Sequence, residues 1–181
     1  MPRSRVMQAR HAWMIGVVAG LVSASSQALA QQPDPAANSK VEISTFEGWA
    51  VTCRIPEKAG TPRACSAVLR IFQTDPNSQQ SRAIFGWVIG LRDKKPVGVF
   101  QLPTGVLIQP GVSVQIGKDT KTVPYSQCAP MGCEAVITMD DAFNKAVSAA
   151  QSIDATIVAT DGKALKFTIN TKGFSRALGE I

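Results

Sequence analysis

Histidine is nearly absent from this sequence: among 181 residues, His11 stands alone. It falls in a segment whose pattern marks it for removal. Arg3, Arg5 and Arg10 precede an uncharged apolar run from Ala12 to Val22, and Ala28-Leu29-Ala30 places small residues at both positions a signal peptidase reads. Residues 1–30 therefore read as a cleaved secretory signal. A chain that begins after Ala30 has no histidine, which excludes a Ser-His-Asp triad, a Cys-His pair and a His-ligated zinc or non-haem iron site. Long hydrophobic runs are also lacking. The 11 residues from 12 to 22 span only about 16 Å as a helix, against roughly 30 Å of bilayer hydrocarbon. No later run is longer, so the mature chain is expected to have no transmembrane segment. Glycine-rich phosphate loops and the acid spacing of a calcium-binding EF-hand are absent. No cysteine follows the cleavage site to carry a lipid.

The excess of positive charge is smaller than it looks. There are 19 Lys and Arg against 13 Asp and Glu, a formal net charge of +6. Loss of Arg3, Arg5 and Arg10 with the leader brings this to about +3. What remains is a mildly cationic exported chain, and the address argues against a nucleic-acid partner.

Four cysteines are present, Cys53, Cys65, Cys128 and Cys133, all in the exported part. An even number in an oxidising compartment implies two disulfides, for which three connectivities exist. Pairing of neighbours, 53 with 65 and 128 with 133, is the most economical, because each pair brackets turn formers: Pro56, Gly60 and Pro62 in one case, Pro130 and Gly132 in the other. A redox role for Cys128-Ala-Pro-Met-Gly-Cys133 fits poorly, since the spacing is not CxxC, and neither spacing suits zinc.

Residues 31–40 lack any apolar period and read as a flexible mature terminus; residues 41–181 read as a single domain. Its pattern has a period of two almost throughout. Trp49, Val51 and Cys53 alternate onto one face of a strand, and Cys65, Ala67, Leu69 and Ile71 do so on the next, which would put a 53–65 disulfide on the core side beside Trp49. Val112, Val114 and Ile116 alternate likewise, as do Ile153, Ala155, Ile157 and Ala159. Asp161-Gly162 separates that last run from Leu165, Phe167 and Ile169, a strong hairpin signal. Ala83 to Leu91 and Val97 to Leu102 are apolar on both faces and are expected as central strands covered on both sides. Only 140–151, with Asp140 as the cap, and a short turn at 174–179 look helical. About nine short strands argue for an all-β fold, an antiparallel β-sandwich of immunoglobulin-like architecture with one or two short helices, stapled by two disulfides.

Few constellations carry chemistry. Asp140-Asp141 is the only adjacent carboxylate pair, and paired acids serve in glycoside hydrolysis. Neighbours at a helix start, however, point in different directions and complement the helix dipole. Arg92-Asp93-Lys94-Lys95-Pro96 joins the two most apolar strands and concentrates positive charge, suited to phosphate or an anionic surface. It lacks the interleaved aromatics of a single-strand nucleic-acid platform. Trp49, Trp87 and Phe100 are expected in the core, with Trp87 the one able to reach a surface because its strand is apolar on both faces. Trp87, Arg92, Lys94 and Lys95 are thus the candidate interaction residues. No cofactor or metal is implied.

One ordered set of features goes further. Gly48-Trp49-Ala50-Val51-Thr52-Cys53, Cys65, Gln101-Leu102-Pro103-Thr104-Gly105-Val106, Pro124-Tyr125-Ser126-Gln127-Cys128, Gly132-Cys133-Glu134-Ala135 and Gly173-Phe174-Ser175-Arg176-Ala177-Leu178 together resemble the invasion-associated locus B family, over roughly residues 42 to 180. The resemblance implies an exported alphaproteobacterial protein with a β-sandwich fold, of a kind named for promoting host-cell invasion by a blood-borne pathogen. Many relatives occur in free-living bacteria, and the family offers no catalytic residue to carry over. The reading that follows is a periplasmic or secreted, non-enzymatic interaction module of the bacterial envelope. Its partner would be an envelope or host-surface protein, with peripheral contact to the outer membrane as an addition. The alternatives are a histidine-free glycan hydrolase using Asp140 or Asp141, and a carrier of a small ligand or lipid between the sheets.

Overall fold

The computed structural model describes residues 39–181, so the expected leader and nearly all of the expected flexible terminus lie outside the described residues. The elements are β1 (Ser39–Phe46), β2 (Trp49–Pro56), β3 (Ala64–Thr74), β4 (Ser81–Arg92), β5 (Lys95–Leu102), β6 (Val112–Ile116), β7 (Asp119–Val123), β8 (Tyr125–Ala129), β9 (Gly132–Thr138), α1 (Asp141–Ala149), β10 (Ser152–Val158), β11 (Ala164–Asn170) and α2 (Phe174–Gly179). They form a seven-stranded sheet of order β1-β2-β3-β4-β5-β9-β8 and a four-stranded sheet of order β11-β10-β6-β7. Every strand pairing is antiparallel. The chain is thus the expected all-β, two-sheet fold with two short helices, and its layering is compatible with an immunoglobulin-like architecture.

Alternation along the strands builds the core. Register places Trp49, Leu69, Trp87, Phe100 and Ala135 in one row across β2, β3, β4, β5 and β9, all buried on the inner face of the larger sheet. The next row is Val51, Ala67, Ile89, Gly98 and Ile137. Val112, Val114, Ile153, Ala155, Ile157, Phe167 and Ile169 supply the opposing buried layer from the smaller sheet. Part of the aromatic row is capped by helices instead. The Phe174 ring of α2 lies 5.6 Å from Trp49 and 5.7 Å from Trp87, and Phe143 of α1 meets Trp87 edge-on at 6.3 Å. Edge-to-face contacts of this kind add to the burial of large rings.

Local chemistry sets the boundaries. Asp140 caps α1, its Oδ1 accepting the Phe143 amide at 2.8 Å. Gly173 enters α2 at φ 82°, where a Cβ would collide with the Phe46 carbonyl oxygen; only glycine satisfies both demands. The disulfides join Cys53 to Cys65 and Cys128 to Cys133, the neighbour pairing expected. Each bridges residues directly opposite on adjacent strands, β2 with β3 and β8 with β9. Cys53 is core-facing, as the alternation with Trp49 requires.

One expectation is corrected. β4 is the middle strand of seven and β5 its neighbour, yet neither is covered on both sides. Phe85, Trp87, Ile89, Phe100 and Leu102 are buried inward, whereas Val88, Gly90, Val97 and Val99 face outward and are only half-buried. Flanking strands shield them in the plane of the sheet without any second layer. Ser39 and Lys40, grouped by composition with the terminus, already pair with Pro56 and Ile55 in β1.

Candidate interaction surface

The β4–β5 hairpin carries the expected cationic residues to an exposed tip. Arg92 and Lys95 are opposite one another, and the connecting Asp93 and Lys94 have φ values of 52° and 62°. Positive φ at both central positions defines a type I′ turn, which matches the right-handed strand twist but ordinarily favours Asn-Gly. Here neither residue is glycine. Holding Lys94 in the left-handed region costs on the order of 1 kcal/mol or more, sustained by the long β4–β5 ladder beneath it. Arg92, Lys94 and Lys95 are exposed, and among the described residues none forms an ion pair or side-chain hydrogen bond. They are free to meet an external anion.

Trp87 does not join them. Its side chain is 0% exposed, packed among Trp49, Phe100, Phe143 and Phe174. Its place in the interaction set is therefore corrected: apolar residues on both faces of β4 left its direction open, and the pleat turns it inward. Gly98 is what admits it, since a Cβ there would stand 2.6 Å from Trp87 Nε1.

The outward face of the larger sheet is the uncovered second face of the doubly apolar β4 and β5. Register aligns Ala50, Val68, Val88, Val99 and Val136 as a continuous aliphatic row across β2, β3, β4, β5 and β9. Outer faces of antiparallel sheets usually read as polar. In the sequence this face is the second apolar set of β4 and β5, a pattern that double coverage and an open face produce alike.

Among the grooves near the β3–β4 hairpin, two have apolar walls from the sheets. One, of about 510 Å³, opens between β3, β4 and β11 and is lined by Ile71, Ile84, Pro103, Leu165 and Phe167, with Arg82 at its side. Leu165 continues the inward stripe of β11 but is 42% exposed, because the sheets have no closing layer at this end. The other, of about 320 Å³, runs over Gly86 beside Arg70, Gln101 and Glu134. A β-bulge between Ile71 and Phe72 shifts the register next to both.

The carboxylates are arranged for structure. Asp140 is engaged in capping, and Asp141 is exposed in the first turn of α1, where it complements the dipole. Asp154 accepts from the Thr168 hydroxyl at 2.7 Å and from Lys166 Nζ at 3.3 Å. These hydrogen bonds, Thr168 first, hold its carboxyl below the usual range against the opposing effect of burial. Among the described residues no helix is long and apolar enough to cross a membrane.

Comparison with known proteins agrees with this architecture. Residues 49–181 match the family model described as Invasion associated locus B (IalB) protein. Invasion protein B homologs of Brucella abortus, strain 2308 and biovar 1 strain 9-941, are each 30% identical to this chain over 140 residues, covering 76% of it and 77% of the relative. The crystal structure of invasion associated protein B from Bartonella henselae superposes with a TM-score of 0.63 at 19% identity, over 77% of this chain and 93% of that one. That last likeness concerns the fold.

Proposed function

The chain belongs to the invasion associated locus B family, and on that premise we propose that it is an exported, non-enzymatic protein of the bacterial envelope that docks an anionic partner through the β4–β5 hairpin tip. The observation that carries this reading is the tip itself: three unpaired cations on a strained two-residue turn, projected by the middle strand pair of the larger sheet. Strain of this kind concentrates where a conformation is needed for contact. The relatives' names speak of invasion, and in a pathogenic host bacterium the partner would be an envelope or host-surface component. The leader and the two disulfides support a periplasmic or secreted location.

Crosslinking and pull-down from envelope fractions test the reading. The native chain should enrich a reproducible partner, and the triple variant R92E/K94E/K95E should lose it at least tenfold while keeping its fold. Equal recovery by both proteins would remove the tip from the account. The apolar groove beside Leu165 favours a second reading, carriage of a small apolar ligand. Native mass spectrometry of protein purified without detergent should then show a retained adduct, and a clean apo mass would speak against it.

A further inference from the structure

Near the open end of the two sheets, strand alternation is interrupted once, and the interruption changes what faces the groove beside Leu165. On β3, Leu69 and Ile71 point inward and Phe72 outward, so Gln73 points inward again. On β4, Trp87 and Phe85 point inward. An uninterrupted strand would next turn Ala83 inward and Arg82 outward. The bulge prevents this. Phe85 is opposite Ile71, but Ala83 is opposite Phe72 and Arg82 opposite Gln73, which leaves Ile84 as the extra residue. One added residue reverses the parity. Arg82 therefore lies on the inner side with Gln73, whose Oε1 accepts from Arg82 Nη2 at 3.4 Å, and both line the groove. We propose that this end of the sandwich binds a single-chain anionic amphiphile, its alkyl chain in the groove and its carboxylate or phosphate head on Arg82. The inference rests on the small-ligand reading of the groove and names the ligand's class.

The walls grade from apolar to cationic. Along β11, Ile169, Phe167 and Leu165 are 1%, 8% and 42% exposed, so the inward stripe continues past the covered part of the sandwich. Ile71, Ile84 and Pro103, each half-buried, complete the apolar wall. An alkyl chain covers such side chains without needing hydrogen bonds. Beyond Ile71 and Ile84, the final inward pair of the hairpin is Gln73 with Arg82.

Charge selects the head. No carboxylate lines this groove. Lys166, its other cation, is held by Asp154 at 3.3 Å. Arg82 is exposed and forms no ion pair among the described residues. Asp75, on the same hairpin, has its Oδ1 engaged by the Asn77 and Ser78 amides at 2.7 and 3.1 Å. A guanidinium forks onto a carboxylate or a phosphate with paired, charge-assisted hydrogen bonds. A neutral apolar ligand would leave it unused, and a cationic head would be repelled. The volume of about 510 Å³ falls in the lower half of the range for small-molecule sites, which suits one chain.

Isothermal titration calorimetry of the native chain, with each probe below its micelle concentration, tests the assignment. Dodecanoate and dodecyl phosphate should bind roughly tenfold or more tightly than dodecyltrimethylammonium, which carries the same chain with the opposite charge. The tighter of the two anions tells a fatty-acid head from a lysophospholipid head. Arg82→Glu, at an exposed position that leaves the thermal midpoint in place, should reverse the preference, and Arg82→Lys should keep its sign. Leu165→Ser should weaken every probe. Equal affinity for anionic and cationic probes, or an anion preference that survives Arg82→Glu, overturns the assignment and leaves apolar carriage standing. Failure of all three probes to bind overturns both.

Discussion

A methyl group at Gly98 would stand 2.6 Å from Trp87 Nε1 and 2.9 Å from Ile137 Cγ2, so this position decides whether the central indole fits. Gly98→Ala should lower stability by about 1–3 kcal/mol, the usual cost of overpacking a core, read from urea midpoints. Gly90→Ala, on the same hairpin with open space around it, should leave the midpoint within error. Asp154 supplies a pH-dependent counterpart. Its folded pKa is held below the ordinary aspartate value by the hydrogen bonds from Thr168 and Lys166, so it contributes stability above the unfolded value that is lost as pH falls through the folded one. Asp154→Asn should be less stable than the native chain at neutral pH, and the gap should close as pH falls below about 3.8. A gap that is constant with pH would assign the effect to packing alone. At this scale the sequence was only partly readable. Alternation with Cys53 made Trp49 a core residue, but Trp87 sits where both faces of the strand are apolar, and direction then depends on register with Leu69 and Phe100, which no local pattern carries.

Strands and turns were more legible than their surroundings. Asp161-Gly162, with Gly162 at φ 83°, joins β10 to β11 as expected, and Asp140 begins α1. β1 and β7 carry no stripe of their own in the sequence, for physical reasons. Val41 and Ile43 of β1 point outward at 52% and 70% exposure, and β7 exposes four of its five residues. Their pairing is decided by neighbouring strands, not by a buried stripe of their own. The β4–β5 turn makes a testable element. Lys94→Gly should raise stability by about 0.5–1 kcal/mol by relieving the positive φ, measured by thermal or urea unfolding; no gain would mean the turn is not strained there. The two disulfides differ in the same way. By loop-closure entropy, replacing Cys53 and Cys65 by alanine should cost about 3 kcal/mol and replacing Cys128 and Cys133 about 2 kcal/mol, the larger loss falling on the longer loop.

For the molecule as a whole, the two sheets divide the work. The smaller sheet and both helices cover the inner aromatic row, leaving the larger sheet with an uncovered aliphatic face and a cationic tip at the end of its middle strand. Absence of histidine after residue 30 narrowed the chemistry from the sequence, and the motif order pointed to the family. The uncovered face was not legible, because a doubly apolar strand looks the same whether its second face meets another layer or a partner. On the proposed function, export would supply both the oxidising compartment that forms the disulfides and the envelope partners. Intact-mass measurement of the native protein from fractionated cells, before and after reduction and alkylation, tests this most directly. The prediction is a chain beginning at Gln31 that lacks two hydrogens for each of its two disulfides and takes up alkyl groups only after reduction. A retained leader, or cysteines that alkylate without reduction, would contradict it.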